Sequence, residues 1–417
     1  MHIMKYNIAI LHYSAPPVVG GVEEVIKQQA LLFRRNLLNV KIIAGKGAQF
    51  ENYIPVVINP LLLSNNDEVN DAINLLQQKK DISRINSLKE RIKVFLKSEL
   101  QNFDILIVHN ILNMRYNLPA AMAVHEIADE MDIKVINWAH DSLYFYEDYE
   151  KIYDTPPFDI LKKYNPKINY VTITESRRKL FAKLMNVDKD RIFVVKNGID
   201  PITFFRLDIN TVRIINNEDL YNQDIILVQP SRLHPRKNIE LTIKVVKALV
   251  DKGVKAKALI TGAFDPHEKN TVNYFNKLNT LIDELNIREH AILLARYTLP
   301  SGEVIESDRV KIRDLYHIAD MLFLPSIQEG FGIPLLEAGM LKIPIVCSDI
   351  PPFREIANNY ATFFKLDEDV NSIADKLIKV SESTKTTRFF RKTLRDYSWD
   401  NIFKKTILPL FNKIYEH

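Results

Sequence analysis

Short apolar runs alternate with longer stretches in which apolar positions recur every three or four residues, from one end of the chain to the other. In the first half the runs are Ile8 to Tyr13, Val40 to Ala44, Ile105 to Val108, Val135 to Trp138, Tyr170 to Ile173 and Ile192 to Val195. In the second half they are Ile225 to Val228, Ala258 to Thr261, Ala291 to Leu294, Met321 to Leu324, Pro344 to Cys347 and Thr362 to Phe364. Strand-length runs unbroken by polar residues, with amphipathic helices between them, predict parallel sheets covered on both faces. Two such sets predict an α/β chain of two doubly wound domains. The expected boundary is the turn Asn197-Gly198-Ile199-Asp200-Pro201 and the polar stretch that follows to Asp224. The division expected is 1–202 and 203–395, with 396–417 as a C-terminal helical segment.

Two segments break the alternation. Residues 64–100 read as a polar, helix-compatible insertion, with Lys89, Lys93 and Lys97 beside Ile85, Leu88, Ile92 and Phe95. A basic amphipathic helix can be a solvated helix packed by one stripe, or it can rest weakly on an anionic membrane surface; both readings stay open. Trp399 to Tyr415 carries Trp399, Ile402, Phe403, Ile407, Leu410, Phe411 and Ile414 at helical spacing. That helix could close the second domain or return to the first.

Composition narrows the class. The chain has 417 residues, 47% apolar and 26% charged, as in soluble globular proteins of two domains. A formal charge of +4 from 56 basic and 52 acidic residues offers no support for a nucleic-acid partner. The lone Cys347 sits in an apolar run, which excludes a disulfide framework and fits a buried strand cysteine in a reducing cytoplasm. The N-terminus reads as a first strand without a cleavable leader, and no apolar stretch nears the roughly 20 residues of a membrane span.

The densest chemistry lies at Glu329-Gly330-Phe331-Gly332-Ile333-Pro334-Leu335-Leu336-Glu337, after the run Met321 to Leu324. Proline suits the first turn of a helix, so a helix is predicted near Pro334 with the glycine amides before its positive end. Glycine lets backbone approach a ligand closely, and amides at a helix start attract anions. A tight strand-to-helix turn would explain the pattern; so would a site for a phosphorylated, polyhydroxylated ligand. After Val228 come Arg232, Arg236 and Lys237, ahead of another helix. Cations there oppose the helix dipole unless an anion lies between them. Arg232 and Lys237 are the candidates for a diphosphate, one by its fork and one as a point charge; Arg236 is expected at the surface.

Other candidates also follow strands, where ligands of open parallel sheets bind. Gly20-Gly21 opens a helix after the first strand but lacks dinucleotide or P-loop spacing. His140-Asp141, with Tyr144 beyond, could hydrogen-bond a sugar hydroxyl, and His109-Asn110 holds a similar position with a weaker claim. Thr261-Gly262 ends a strand of the second domain. No Asp-x-Asp stands in a metal-binding loop, so no metal ligands are assigned.

Taken together, these residues resemble the family 4 retaining glycosyltransferases of GT-B fold. The resemblance rests on Gly20-Gly21, Asn197-Gly198-Ile199-Asp200, Arg232 with Lys237, Ile318-Ala319-Asp320, Glu329 to Glu337, Ile343-Pro344-Ile345-Val346 and Tyr397-Ser398-Trp399-Asp400. It implies two facing Rossmann-like domains with an interdomain cleft, and a C-terminal helix that crosses back to the first. It implies a nucleoside-diphosphate sugar donor, of UDP-glucose or GDP-mannose type, a hydroxyl acceptor and no cofactor. Arg232 and Lys237 would contact the diphosphate, and the backbone of Gly330, Phe331, Gly332 and Ile333 would approach phosphates and sugar. Glu337 would take the ribose hydroxyls, Glu329 would face the sugar, and Gly262 would lie beside the nucleotide. Gly20 and Gly21 would lie near the distal phosphate, and His140 near a sugar or acceptor hydroxyl. His109, Asn110, Asp141 and Tyr144 are acceptor-side candidates.

The implied reaction is metal-independent front-face substitution, with Glu329, His140, Arg232 and Lys237 as the catalytic set. Competing readings are a nucleotide-sugar epimerase of the same architecture, an NAD(P) oxidoreductase, which the glycine spacing disfavours, and a silent sugar-nucleotide binder. The polar segment Arg296 to Asp308 leaves the base unassigned. Acceptor, linkage and oligomeric state stay open as well.

Overall fold

The computed structural model describes residues 6–262, 271–383 and 385–416. It divides into two compact units, Met1–Ile199 with Trp399–His417, and Asp200–Ser398. Met1–Lys5, which begin the expected N-terminal strand, lie outside the described residues.

Among the described residues the first unit is built on seven parallel strands: β1 (Asn7–Ser14), β2 (Asn39–Lys46), β3 (Val56–Ile58), β4 (Ile105–His109), β5 (Lys134–Ala139), β6 (Ile168–Thr172) and β7 (Ile192–Val194). Their order is β3-β2-β1-β4-β5-β6-β7. The chain winds outward from β1 in one direction, then returns to lay β4 on the other side of β1. The carboxyl ends of β1 and β4 therefore border the topological switch point, where open parallel sheets leave a crevice. The short edge strand β3 is absent from the sequence expectation. Its three residues lie between prolines, too brief a run to register as a strand.

Among the described residues the second unit has six parallel strands: β8 (Ile225–Gln229), β9 (Ala256–Ile260), β10 (Ala291–Leu293), β13 (Met321–Leu324), β14 (Ile345–Ser348) and β15 (Thr362–Phe364). They are ordered β10-β9-β8-β13-β14-β15, so its switch point falls between β8 and β13. The polar segment 296–308 contains an antiparallel ribbon, β11 (Tyr297–Thr298) with β12 (Val304–Ile305). The central strands of both sheets are buried along their length, which is why their runs carry no polar alternation.

Residues 64–100 form two helices, Asp67–Lys79 and Ser83–Glu99, in the crossover from β3 to β4. Val69, Ala72, Leu76, Ile85, Leu88, Ile92 and Leu96 pack into the core of the first unit. The lysines opposite do not form a free cationic face. Lys89 and Lys93 both pair with Glu126, and Lys93 and Lys97 with Glu130, on the helix Leu118–Glu130. The insertion is thus helical and packed by one stripe, as its spacing predicts; Lys89, Lys93 and Lys97 are ion-paired, while Lys79, Lys80 and Arg84 stay exposed.

The chain re-enters the first unit at Trp399, whose N–H donates to the Ile199 carbonyl at 3.1 Å, beside the point where it left. Trp399, Phe403, Ile407 and Phe411 are 0–1% exposed and pack with Phe33, Ile26 and Val40. The helical run continues through a π-helical turn at Phe403–Ile407. Pro409 follows after Leu408; it has no N–H to donate to the preceding turn, and a local widening accommodates that loss.

Candidate functional site

Two loops flank the switch point of the second unit, one after β8 and one after β13. They are tied to each other by backbone, since the Ile327 N–H donates to the Arg236 carbonyl at 2.8 Å. Each is also anchored below. Gln229, at the end of β8, donates to the Lys237 carbonyl at 3.0 Å and accepts from Thr242 Oγ1 at 2.6 Å. Ser348 Oγ, at the end of β14, donates to the Ser326 carbonyl at 2.5 Å. The anchors Gln229, Thr242, Ser326 and Ser348 are fully buried, so both loops are held from the sheet itself.

On this frame Lys237 Nζ forms an ion pair with Glu329 Oε1, and Ser326 Oγ donates to the same oxygen at 2.9 Å. The lysine and glutamate side chains are 15% and 12% exposed. The pairing revises the sequence expectation in one respect, because the Lys237 ammonium is already held by a carboxylate.

The helix after the second loop runs Ile333–Leu341 with Gly332 as its N-cap at φ +128. That dihedral belongs to glycine, and a Cβ there would stand 3.0 Å from the Phe353 ring. Gly330 has open space where a side chain would project, and Phe331 is exposed. A Cβ on Gly262 would come within 2.7 Å of the Ser231 carbonyl. That glycine is needed for contact between the loops after β9 and β8.

Glu337 lies one turn into the same helix. Its Oε2 accepts from the Tyr316 hydroxyl at 2.9 Å, and its Oε1 lies 3.9 Å from Arg309 Nη1. Burial, then the adjacent carboxylate, push the Tyr316 hydroxyl far above the usual tyrosine range, so it stays a donor. Arg232, Arg236, Lys237, Thr261, Arg309, Arg313, Tyr316, Ile333 and Glu337 all line one cavity of about 800 Å³. Five cations and one carboxylate on this wall make it suited to an anion. Sequence reasoning missed Tyr316, Arg309 and Arg313. They sit on the helix Arg309–Ile318, whose charged residues carried no motif to set them apart.

In the first unit Gly20 caps the helix Gly21–Arg35, and a Cβ on Gly20 would strike the Glu23 carboxylate at 2.0 Å. That carboxylate accepts from Ser14 Oγ and lies 3.9 Å from His12 Nε2. His140, half-buried after β5, is bonded through Nε2 to His109 Nδ1 at 2.9 Å. Burial pushes the His140 imidazole down to about 4, which keeps it neutral at physiological pH.

Three acceptor-side candidates are committed inside the protein. His109 is 0% exposed with both ring nitrogens bonded, so it cannot touch a ligand. The Asn110 side-chain oxygen accepts from the His140 amide at 2.8 Å, holding the loop rather than a substrate. The Tyr144 hydroxyl donates to the Tyr153 carbonyl at 2.5 Å. Asp141 keeps partial exposure but pairs with Arg177 at 3.1 Å and accepts from Tyr146. Sequence reasoning also passed over His12 and Gln29, whose only signal was polarity within a buried strand and a helix's inner face. Among the described residues no group of three His, Cys, Asp or Glu side chains could hold a metal ion.

Comparison with known proteins gives this geometry a family. Residues 211–396 match the family described as Glycosyl transferases group 1, and residues 19–202 match Glycosyltransferase Family 4. A mannosylglucosylglycerate synthase of Petrotoga mobilis is 25% identical over 372 residues, 84% of each chain. An O-antigen chain mannosyltransferase of Salmonella typhimurium is 25% identical over 232 residues, 56% of each chain. Among solved structures, a sucrose-phosphate synthase from Thermosynechococcus elongatus is 12% identical with a TM-score of 0.40, covering 99% of this chain and 100% of that one. With both halves matched in order on two Rossmann-like sheets, the chain belongs to the family 4 glycosyltransferases of GT-B fold and is a glycosyltransferase.

Proposed function

We propose that the protein transfers a hexosyl group from a nucleoside-diphosphate sugar to a hydroxyl acceptor, with retention at the anomeric carbon and without a metal. The observation that carries this reading is the clamped pair of loops at the second switch point. It holds Lys237, ion-paired to Glu329, on a cavity wall that also carries Arg232 and Glu337. In this reading Arg232 and Lys237 bind the diphosphate, and the Gly330 to Ile333 backbone approaches the phosphates and the sugar. Glu337, oriented by Tyr316, takes the ribose hydroxyls. Glu329 faces the donor sugar, poised beside the cation that holds the leaving group. In the first unit Gly20 and Gly21 are assigned to the distal phosphate, and His140 to a sugar or acceptor hydroxyl.

The bond from the anomeric carbon to the phosphate oxygen breaks while the acceptor oxygen bonds on the same face. The acceptor's proton passes to the departing phosphate oxygen. Cations and amides already aimed at the diphosphate stabilise the charge that develops there. A double-displacement route would need a carboxylate free to attack the anomeric carbon. Glu329 is instead engaged by Lys237 and Ser326.

One sequence relative is named a mannosyltransferase and another a mannosylglucosylglycerate synthase, which favours GDP-mannose over UDP-glucose as the donor to test first. Their names describe transfer rather than epimerisation. No helix among the described residues is long and apolar enough to cross a membrane, and a cytoplasmic location suits the single buried Cys347. A panel of nucleotide sugars, with and without EDTA, tests the proposal. Expected are nucleoside diphosphate release and, with an acceptor, a product of the donor's anomeric configuration by NMR. An inverted product would refute retention, loss of turnover in EDTA would refute metal independence, and a new donor epimer formed without acceptor would refute transfer.

A further inference from the structure

Beneath His140 lies a chain of buried polar groups that the proposed reaction does not use. His109, at the end of β4, sits between His140 and Gln29 of the helix Gly21–Arg35. Its Nδ1 is 2.9 Å from His140 Nε2 and its Nε2 is 3.1 Å from Gln29 Oε1. His109 and Gln29 are both 0% exposed, so water does not offer either an alternative partner. His12 Nδ1 meets the His109 carbonyl at 2.8 Å, fixing the backbone from β1, and the Trp138 ring stacks on His109 at 5.8 Å between centroids.

A neutral imidazole has one donor nitrogen and one acceptor nitrogen. Gln29 turns its Oε1 to His109, with its Nε2 buried and without a hydrogen-bond partner; in that orientation the amide accepts, so the hydrogen of His109 is on Nε2. Its Nδ1 is then an acceptor, and His140 must donate to it from Nε2. The remaining nitrogen of His140, Nδ1, is left as a lone pair. The other hydrogen bond of His140 runs through its backbone N–H to Asn110; among the described residues no hydrogen bond engages its Nδ1, and the residue is half-buried rather than sealed.

We infer that Gln29 and His109 are positioning residues that set the tautomer of His140, so that His140 offers a hydrogen-bond acceptor to a ligand hydroxyl. The inference deepens the proposed function, because it rests on the placement of His140 at a sugar or acceptor hydroxyl. The charged or titratable groups around the chain are His12, Glu23, Asp141 and, through Asp141, Arg177. Burial disfavours a charged imidazole at His109 and His140 alike, which keeps the neutral tautomers in play. A hydroxyl satisfies a bare Nδ1; a carbonyl or ether oxygen does not.

Nitrogen-15 NMR of the full chain labelled at histidine reads the tautomer directly, with the His140 signals assigned by their loss in His140→Gln. The expected wild-type spectrum shows His140 protonated at Nε2 and bare at Nδ1. Gln29→Leu removes the acceptor at the far end, so His140 should then populate both forms. Donor hydrolysis of GDP-mannose or UDP-glucose should fall about fivefold to tenfold in that variant, the worth of one hydrogen bond, with Kd for GDP and UDP unchanged. A wild-type His140 protonated at Nδ1, or a tautomer ratio indifferent to Gln29→Leu, overturns the inference. If Gln29→Leu does not fold, the wild-type spectrum decides alone. If the tautomer is as expected but His140→Gln hydrolyses donor at the wild-type rate, the chain stands and the placement of His140 at the ligand falls.

Discussion

Replacing Glu329 by Gln should tighten nucleoside diphosphate binding while slowing transfer. In the unliganded protein the Lys237 ammonium is held by Glu329, and both side chains are more than four-fifths buried. A diphosphate arriving at Lys237 must share that cation with an existing carboxylate and meets its negative charge. At a separation of about 6 Å and an effective dielectric of about 20, the repulsion is about 3 kcal/mol before the lysine offsets part of it. Glutamine keeps the shape and can still accept from Ser326, but it removes the charge. We expect UDP and GDP to bind about threefold to tenfold more tightly to Glu329→Gln, by isothermal titration calorimetry at fixed ionic strength. Lys237→Met should do the opposite and lose about 1.5–3 kcal/mol of affinity, the scale of charged hydrogen bonds. In the double variant the two effects should not add, because each residue is the other's partner. Weaker nucleotide binding in Glu329→Gln would refute this reasoning, since the carboxylate would then be a ligand contact and not a competitor.

Tyr316→Phe removes the 2.9 Å bond to Glu337 and should raise the Kd for UDP and GDP about threefold to tenfold in the same titration. Gly332→Ala forces a side chain into φ +128 and onto Phe353, and should lower unfolding stability by about 1–3 kcal/mol in urea. Arg391→Met strands the Asp320 carboxylate, which is 2% exposed and bonded at 2.6 Å and 3.0 Å by the guanidinium; a loss of about 3–5 kcal/mol is expected by chemical denaturation. Burial pushes His125 down to about 4, so the unfolded chain binds a proton there first as pH falls. Its contribution is whole above pH 6.5 and declines by about 1.4 kcal/mol per unit toward pH 4. Urea midpoints of His125→Leu should fall less steeply over that window than wild type.

Much of the architecture was legible because burial on both faces of a parallel strand leaves an uninterrupted apolar run. Each of the twelve runs named in the sequence corresponds to a strand within a residue or two. The strand β3 and the ribbon of β11 and β12 escaped because two- and three-residue pieces hold too few positions to show a period. The glycine loop and the helix after Gly332 were equally readable, since φ +128 and a proline in the first helical turn are local demands. The helical insertion at 64–100 and its apolar stripe were readable from spacing, but the partners of its lysines were not, because those carboxylates lie on another helix, more than thirty residues away in sequence.

By itself, then, the sequence determined the α/β class, the two-sheet division and the residue types that meet at the second switch point. These follow from periodicity and from backbone chemistry that acts over a few residues. Only the tertiary structure decided how those residues are used. It set Glu329 against Lys237, brought Tyr316 to Glu337, and buried His109 between Gln29 and His140 with both ring nitrogens bonded. Each of these pairs joins loops or helices that follow different strands. Which strands lie side by side is set by the winding of the sheet, a property that no local pattern of residues records.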